Sequence, residues 1–356
     1  MSRYILLLFT VLVCSSCHNT QNEKKEKEDT IPKPAVLKVM TFNIWQEGTM
    51  VANGLDKIRD IILATDPDIV SFTEVRNYND EDWTAKILKK LKDKGVDYFG
   101  KFAGGDVSLI SKYPITASKV VYNGEGSVVK YDIKLNSGTI VVAAAHLDYT
   151  GYACYLPRGY YGGTPNWNLI KDENGNKSPV TNVDEILAYN KKSTRDEQIA
   201  AFLNSVKSET NPVILMGDFN EPSHLDWTEK AANRFDHNGV VINWPSTYTL
   251  FLKGFIDAYR NFHPNELTHP GITWPSLVHG KDSTSWTPLS DERDRIDFIF
   301  YKGHNIKTTS AAMVGPKASY AYNELVSTYT SEENFVADTL EWPSDHKAVM
   351  VTLMFE

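Results

Sequence analysis

One pattern constrains this chain more than any other: an apolar run of strand length that meets an acid, an amide or a histidine at one end. "VLKVMTFNIW" (36–45) runs into Asn43, "DIVSFTEV" (68–75) into Glu74, and "GTIVVAAAHLDY" (138–149) into His146 and Asp148. "PVILMGDFN" (212–220) runs into Asp218 and Asn220. In "DRIDFIFYKG" (294–303) and "SDHKAVMVTLMF" (344–355) the polar residues Asp297, Asp345 and His346 come first. Runs this short and this apolar read as buried strands. Taken singly, each polar residue is an ordinary cap or turn residue. Six such junctions together imply one rim on which the ends of several strands converge.

Helices fill the intervals. "LDKIRDIILATDP" places Leu55, Ile58, Ile61 and Ile62 on one face and stops at Pro67. "DWTAKILKKLKDKG" (82–95) closes at Gly95, and "DEILAYNKKSTRDEQIAAFLNSVKS" (184–208) reads as one helix. "SVVKYDIKL" and "GTIVVAAAHLDY" pair around Asn136-Ser137-Gly138, and "GFIDAYR" and "KTTSAAMVG" read as later strands. No internal repeat or linker divides the run from residue 35 to residue 356, and a 42% apolar content supports one large core. Helices packed outside stacked, mostly antiparallel sheets are the expected arrangement. The stretch 149–183 has no period; it is rich in Tyr, Trp, Gly and Pro and reads as an insertion.

The N-terminus carries an address. "MSRYILLLFTVLVCSSC" has Arg3, an apolar run too short to span a bilayer, and then small residues, which suits a secretory signal. Ser15-Ser16-Cys17 is similar to a bacterial lipobox, with Cys14 departing from its usual small or branched residue. Residues 1–17 are therefore expected to be a lipoprotein signal with Cys17 as the lipid attachment point. Residues 18–34, polar and proline-ended, are expected to be a tether. An exported, membrane-anchored monomer on the periplasmic or cell-surface side follows. Cys154 alone remains in the folded part and cannot form an internal disulfide.

Charge narrows the partners. Residues 35–356 carry 32 Lys and Arg against 41 Asp and Glu. A duplex-binding nuclease usually shows a basic face, so nucleic acid is not the favoured ligand. The basic run Lys86, Lys89, Lys90, Lys92 and Lys94 reads first as a solvated helix face. Carboxylates and a carboxamide are hard oxygen donors suited to Mg²⁺, with Mn²⁺ as the alternative. The lack of Cys ligands and of an HExxH helix argues against a zinc peptidase.

"TFNIW", "TEV", "VSLISKYPI", "AHLD", "TRDEQ", "GDFNEP", "RIDFIF" and "SDHKAV", in this order, resemble the endonuclease/exonuclease/phosphatase superfamily over about residues 36–356. The resemblance implies a four-layer α/β sandwich, with two central mostly antiparallel sheets between helices. It implies Glu74 as main metal ligand, with Asn43 and Asp345 beside the metal. It implies that Asp218 positions or activates water, that Asn220 and His146 contact phosphate, and that Asp297 pairs with His346. Arg195 and Gln198, with Asp148, would brace the site. Tyr149 stands where one branch commonly has His after "HLD", and the gap from Asp148 to Arg195 is long for that branch.

The substrate is left with alternatives. A small, sugar-linked or lipid-head-group phosphoester outside the cytoplasm is favoured, because Tyr and Trp faces suit sugars, cholines or lipid surfaces; a self-packed surface insertion is the other reading of the Tyr-rich stretch. A secreted DNA or RNA nuclease is the second reading. A non-catalytic binding protein on the same scaffold is the third.

Overall fold

The computed structural model describes Met1 and residues 35–163, 167–327 and 332–356. The expected signal and tether, Cys17 included, lie outside the described residues. Pro34–Glu356 is a compact unit of its own. Its strands are β1 (Ala35–Asn43), β2 (Ile69–Thr73), β3 (Phe99–Phe102), β4 (Val107–Ser111), β5 (Ile115–Asn123), β6 (Ser127–Leu135), β7 (Gly138–His146), β8 (Val213–Asp218), β9 (Ile256–Asp257), β10 (Asp297–Lys302), β11 (Ile306–Val314), β12 (Ala318–Ala321), β13 (Glu324–Ser327), β14 (Phe335–Val336) and β15 (Ala348–Phe355). Its helices are α1 (Gly54–Thr65), α2 (Trp83–Lys92), α3 (Val183–Asn190), α4 (Arg195–Ser205), α5 (Pro245–Leu252) and α6 (Ala258–Phe262).

Two large sheets form the sandwich. One runs β14-β11-β15-β1-β2-β4-β3 and the other β5-β6-β7-β8-β10-β9. Both are mixed: β1–β2, β11–β14 and β7–β8 are parallel, and the other pairs are antiparallel. Side-chain alternation explains the unbroken apolar runs. On β1, Leu37 and Val39 enter the core between the sheets, while Met40 and Phe42 join a second core with α1 and α2. On β7, Ile140, Val142 and Ala144 face inward, while Val141, Ala143 and Ala145 meet α4 and the phenylalanines of a third core. A strand covered on both faces has no solvent side to make polar, which is why period two is invisible in these runs.

Two expectations fail locally. Residues 184–208 are two helices, because the chain breaks between Asn190 and Arg195. There the Thr194 N–H donates to Asp148 Oδ2 (2.7 Å) instead of continuing a helical ladder. "GFIDAYR" gives only the two-residue β9 before turning into α6, because Asp257 caps that helix by accepting from Arg260 N (3.1 Å).

The Tyr-rich stretch forms a fourth apolar cluster. Tyr152, Tyr155 and Tyr160 are buried against Trp227, Trp244 and Trp274. Trp167 stacks on Trp286 with ring centroids 4.7 Å apart. Three of the six rings of this stretch are therefore core and Trp167 is partly buried; Tyr149 and Tyr161 are the exposed ones among the described residues of this stretch.

Candidate active site

Strand register builds the rim. β7, β8 and β10 are neighbours, and His146, Asp218 and Asp297 stand side by side across them. Asn43 ends β1 opposite Thr73, so Glu74 follows directly on β2. β10 and β15 run antiparallel to their neighbours, so Asp297 opens β10, Asp345 and His346 precede β15, and all three still arrive at the same end. Gly217 permits the close approach of β7 and β8: a Cβ there would lie 1.7 Å from the Ala145 carbonyl oxygen.

Asp218 is the centre. It is 1% exposed. Its Oδ1 accepts from Asn220 N (2.8 Å) and its Oδ2 from Asn43 Nδ2 (2.9 Å). Two imidazoles flank the same oxygen, with His146 Nε2 at 3.8 Å and His346 Nε2 at 3.7 Å. Each ring is held from behind by a carboxylate. His346 Nδ1 meets Asp297 Oδ2 at 2.9 Å, the pairing the resemblance implied. His146 Nδ1 meets Asp106 Oδ2 at 2.6 Å.

Asp106 was not among the residues singled out from the sequence, although it opens the run "DVSLIS" as Asp297 opens its own. Arg76 was also missed; it donates to Asp106 Oδ2 (2.9 Å) and lies 3.6 Å from Glu74 Oε2, which ties the two acids together.

The pairs hold charge. Burial disfavours the His146 imidazolium, yet Asp106 and then Asp218 hold its pKa up at about 9. Burial also works against the Asp106 carboxylate, but His146 and Arg76 hold it at about 2. Burial likewise opposes His346, which Asp297 and Asp218 hold at about 10. Burial, eased by His346 and reinforced by Asp218, pushes Asp297 up to about 6. At neutral pH both pairs are carboxylate–imidazolium pairs aimed at one carboxylate oxygen.

Asp106→Asn is expected to drop the His146 value toward that of a free imidazole. At about pH 8 that leaves about thirtyfold less imidazolium. The alkaline limb of kcat/KM should move to lower pH, and an unchanged pH profile would mean that His146 does not act charged. Because its folded value lies above 6.5, the stabilisation from His146 is complete below that pH and is lost as pH rises through about 9. The stabilisation from Asp106 is present above 3.8 and is lost as pH falls through about 2.

Metal donors lie on the other side of Asn43. Asn43 Nδ2 reaches Glu74 Oε1 at 3.2 Å, and Gln46 N donates to Glu74 Oε2 at 2.9 Å. Asp345 is 5% exposed, and its Oδ1 is buried with no hydrogen-bond partner. Burial, eased by His346 and reinforced by the charge of Glu74, pushes its carboxyl up to about 7. An unpartnered buried carboxylate oxygen beside a second acid and a carboxamide fits a hard divalent cation. Asp218, Asp297 and His346 also bring donor atoms within 4.8 Å of one another. That group suits a hydrogen-bonded relay better, since an imidazole held protonated cannot ligate.

The bracing residues are buried and occupied. Arg195 donates to the carbonyls of Asp148 (2.6 Å), Thr150 (2.9 Å) and Gly151 (3.0 Å), and so fixes the chain leaving β7. Gln198 Oε1 accepts from Asp148 N (2.9 Å). Glu221, the acid of "GDFNEP", is structural: it accepts from Asn190 Nδ2 (2.7 Å) and Ser246 N (2.7 Å). Asn220 donates to the Leu147 carbonyl (2.9 Å), which keeps its amide beside Asp218.

Residues 40–346 match the profile of the Endonuclease/Exonuclease/phosphatase family. The chain belongs to that family. An uncharacterized protein of Caenorhabditis elegans is 32% identical over 275 residues, 75% of this chain and 79% of its own. Among solved structures, an endonuclease/exonuclease/phosphatase from Beutenbergia cavernae is similar at a TM-score of 0.54 and 18% identity, covering 90% of this chain and 72% of that one. A family protein from Leptotrichia buccalis is similar at 0.50 and 17%, covering 90% and 100%. At those identities the likeness is one of fold. Members of the Endonuclease/Exonuclease/phosphatase family act on phosphoester bonds.

Proposed function

We propose that this protein is a Mg²⁺-dependent phosphoesterase acting on a small, soluble phosphoester outside the cytoplasm, held at a membrane through Cys17. One observation carries the catalytic reading: two carboxylate-backed imidazoles converge on Asp218 Oδ2, itself fixed by Asn43 and Asn220. A metal held by Glu74, Asp345 and Asn43 would offset charge on the phosphoryl oxygens. Asp218 takes the proton of an attacking water. His146 and His346, held charged by Asp106 and Asp297, donate to phosphoryl or leaving oxygens, and Asn220 adds an uncharged donor. Burial of these groups keeps their charges strong and their geometry fixed.

Two observations favour a small ligand over a nucleic acid. The acidic balance persists in the folded unit. The basic run on α2 is also largely neutralised locally: Lys86 pairs with Glu81, Lys89 with Asp93 (2.8 Å) and Lys90 with Asp56 (2.7 Å). Burial of Tyr152, Tyr155 and Tyr160 removes three of the six aromatic rings of that stretch from any surface that would have suited a lipid head group. The exported lipoprotein reading rests on the N-terminal sequence.

The test is hydrolysis of an activated small phosphodiester beside nicking of supercoiled plasmid, each with Mg²⁺ and with EDTA. Small-diester turnover that EDTA abolishes and Mg²⁺ restores, with intact plasmid, is expected. Metal-dependent nicking lost in His346→Ala would make the protein a nuclease. No hydrolysis of any phosphoester by the folded protein would leave a binding protein.

A further inference from the structure

We propose that the pole opposite the catalytic rim is a membrane-contact surface, which sets the tip of α5 into an anionic phospholipid surface. The register defines that pole. β8 and β10 place Asp218 beside Asp297 at the rim and Val213 beside Lys302 at the far end. β1 runs toward the rim at Asn43, so Ala35 lies at the far end, paired with Phe355, which also pairs with Ile306 just beyond β10. The chain therefore enters the fold at the far pole. Residues 18–34, read from the sequence as a tether behind Cys17, would reach about 55–60 Å if extended. This part of the argument rests on the lipoprotein reading; the surface itself does not.

α5 descends to the same pole. It starts near the rim, where Ser246 N donates to Glu221, and ends at Phe251 and Leu252. These two are 54% and 62% exposed, and Ile256 beyond them is 40% exposed. They are large apolar side chains left in water at a helix end. Behind them a cavity of about 420 Å³ is lined by Leu225, Phe255, Pro264 and Phe300 together with the polar His224, Asp257, Arg260 and Asn261.

Lysines flank the tip on one side. A neighbouring cavity of about 740 Å³ is lined by Lys207, Lys253, Lys302 and His304, over Leu203 and Val206. Lys302 Nζ donates to the Lys253 carbonyl (2.8 Å), which locks β10 to the end of α5. Glu209, the acid in that lining, accepts instead from the Thr210 and Asn211 amides (both 3.1 Å). A chain with an excess of acids thus gathers lysines beside exposed apolar side chains at the pole where its N-terminal segment leaves. Phe and Leu buried at the headgroup level with Lys at the rim is the pattern of an interfacial anchor. A second copy of this chain fits less well, because a symmetric contact would set these lysines against one another.

Docking in this way turns the catalytic rim away from the bilayer by the length of β8, about 20 Å. Substrate would then arrive from solution, and not as a head group of the anchoring leaflet. A tether raises the local concentration of the domain, so a weak surface suffices.

The test uses the compact unit Pro34–Glu356, which holds both sheets and all four cores and lacks Cys17. Its outcome is therefore independent of acylation and of hydrolysis. Sedimentation with phosphatidylglycerol-containing vesicles is expected, and much less with phosphatidylcholine alone. Leu252→Ser should weaken partition by about tenfold and Lys253→Gln by about fivefold. Both positions are at a surface, so the variants stay folded. No sedimentation with either vesicle, or variants that bind like wild type, would overturn the proposal. So would a dimer in equilibrium sedimentation that Leu252→Ser dissolves, which would assign the patch to a second copy.

Discussion

Asp218→Asn is expected to lower kcat by about 10²–10⁴, the usual cost of losing a positioned general base. The carboxylate accepts from Asn220 N on one oxygen and from Asn43 Nδ2 on the other. An amide can satisfy only one of these, so one donor is left facing a donor. That costs about 1–3 kcal/mol, a minority of the stability of an ordinary domain. The variant should therefore stay folded, with its melting temperature lowered by only a few degrees, while its turnover collapses. It also removes the negative charge between two imidazoliums, so both should lose protons at lower pH than in wild type. Turnover within a few-fold of wild type, measured at saturating Mg²⁺, would assign the proton of the attacking water to another group.

The legibility of the site follows from how it is built. Asn43, Glu74, His146, Asp218, Asp297, Asp345 and His346 are each read from a junction between an apolar run and a polar residue. In the structure the sheets carry those junctions to one rim. Asp106 has the same signature, an acid at the start of "DVSLIS", but its meaning depends on β4 lying in the opposite sheet from β7. Only tertiary packing supplies that contact with His146. The break at Asn190–Arg195 is hidden for a similar reason. The residues there are compatible with a helix, and a carboxylate 46 positions away, Asp148, takes the N–H that would have continued it.

The Tyr-rich stretch was opaque because nothing in it repeats. Its order comes from buried polar hubs. Glu292 accepts from Tyr155 Oη (2.9 Å), Thr287 Oγ1 (2.9 Å) and Trp286 N (2.9 Å), so one carboxylate closes the loop before β10 onto the insertion. Aromatic residues in an aperiodic segment can face a ligand or each other, and composition alone does not separate the two. Here the rings face each other.

Arg158→Met is expected to destabilise the fold by about 3–5 kcal/mol, the range for breaking a buried ion pair from one side. Arg158 is fully buried. Its Nη1 donates to Asp294 Oδ2 at 2.5 Å, and its Nε donates to the carbonyls of Asp291 (2.8 Å) and Phe235 (3.1 Å). Methionine fills much of the volume but leaves those acceptors, and the Asp294 charge, without their donor. Trp227 Nε1 still donates to Asp294 Oδ1 (3.1 Å), so the acid keeps one partner. Asp294 lies three residues before Asp297, and its backbone N–H and carbonyl bridge to Trp274. The loss should therefore reach the catalytic pair, with kcat falling alongside the melting temperature. Thermal unfolding of Arg158→Met, Asp294→Asn and the double variant separates the two effects: the double variant should recover part of the loss, because it no longer buries an unpaired charge. Unfolding of Arg158→Met within about 1 kcal/mol of wild type would instead mean that the insertion is an appendage, since a segment keyed into the core through a buried charge cannot lose its key at so small a cost.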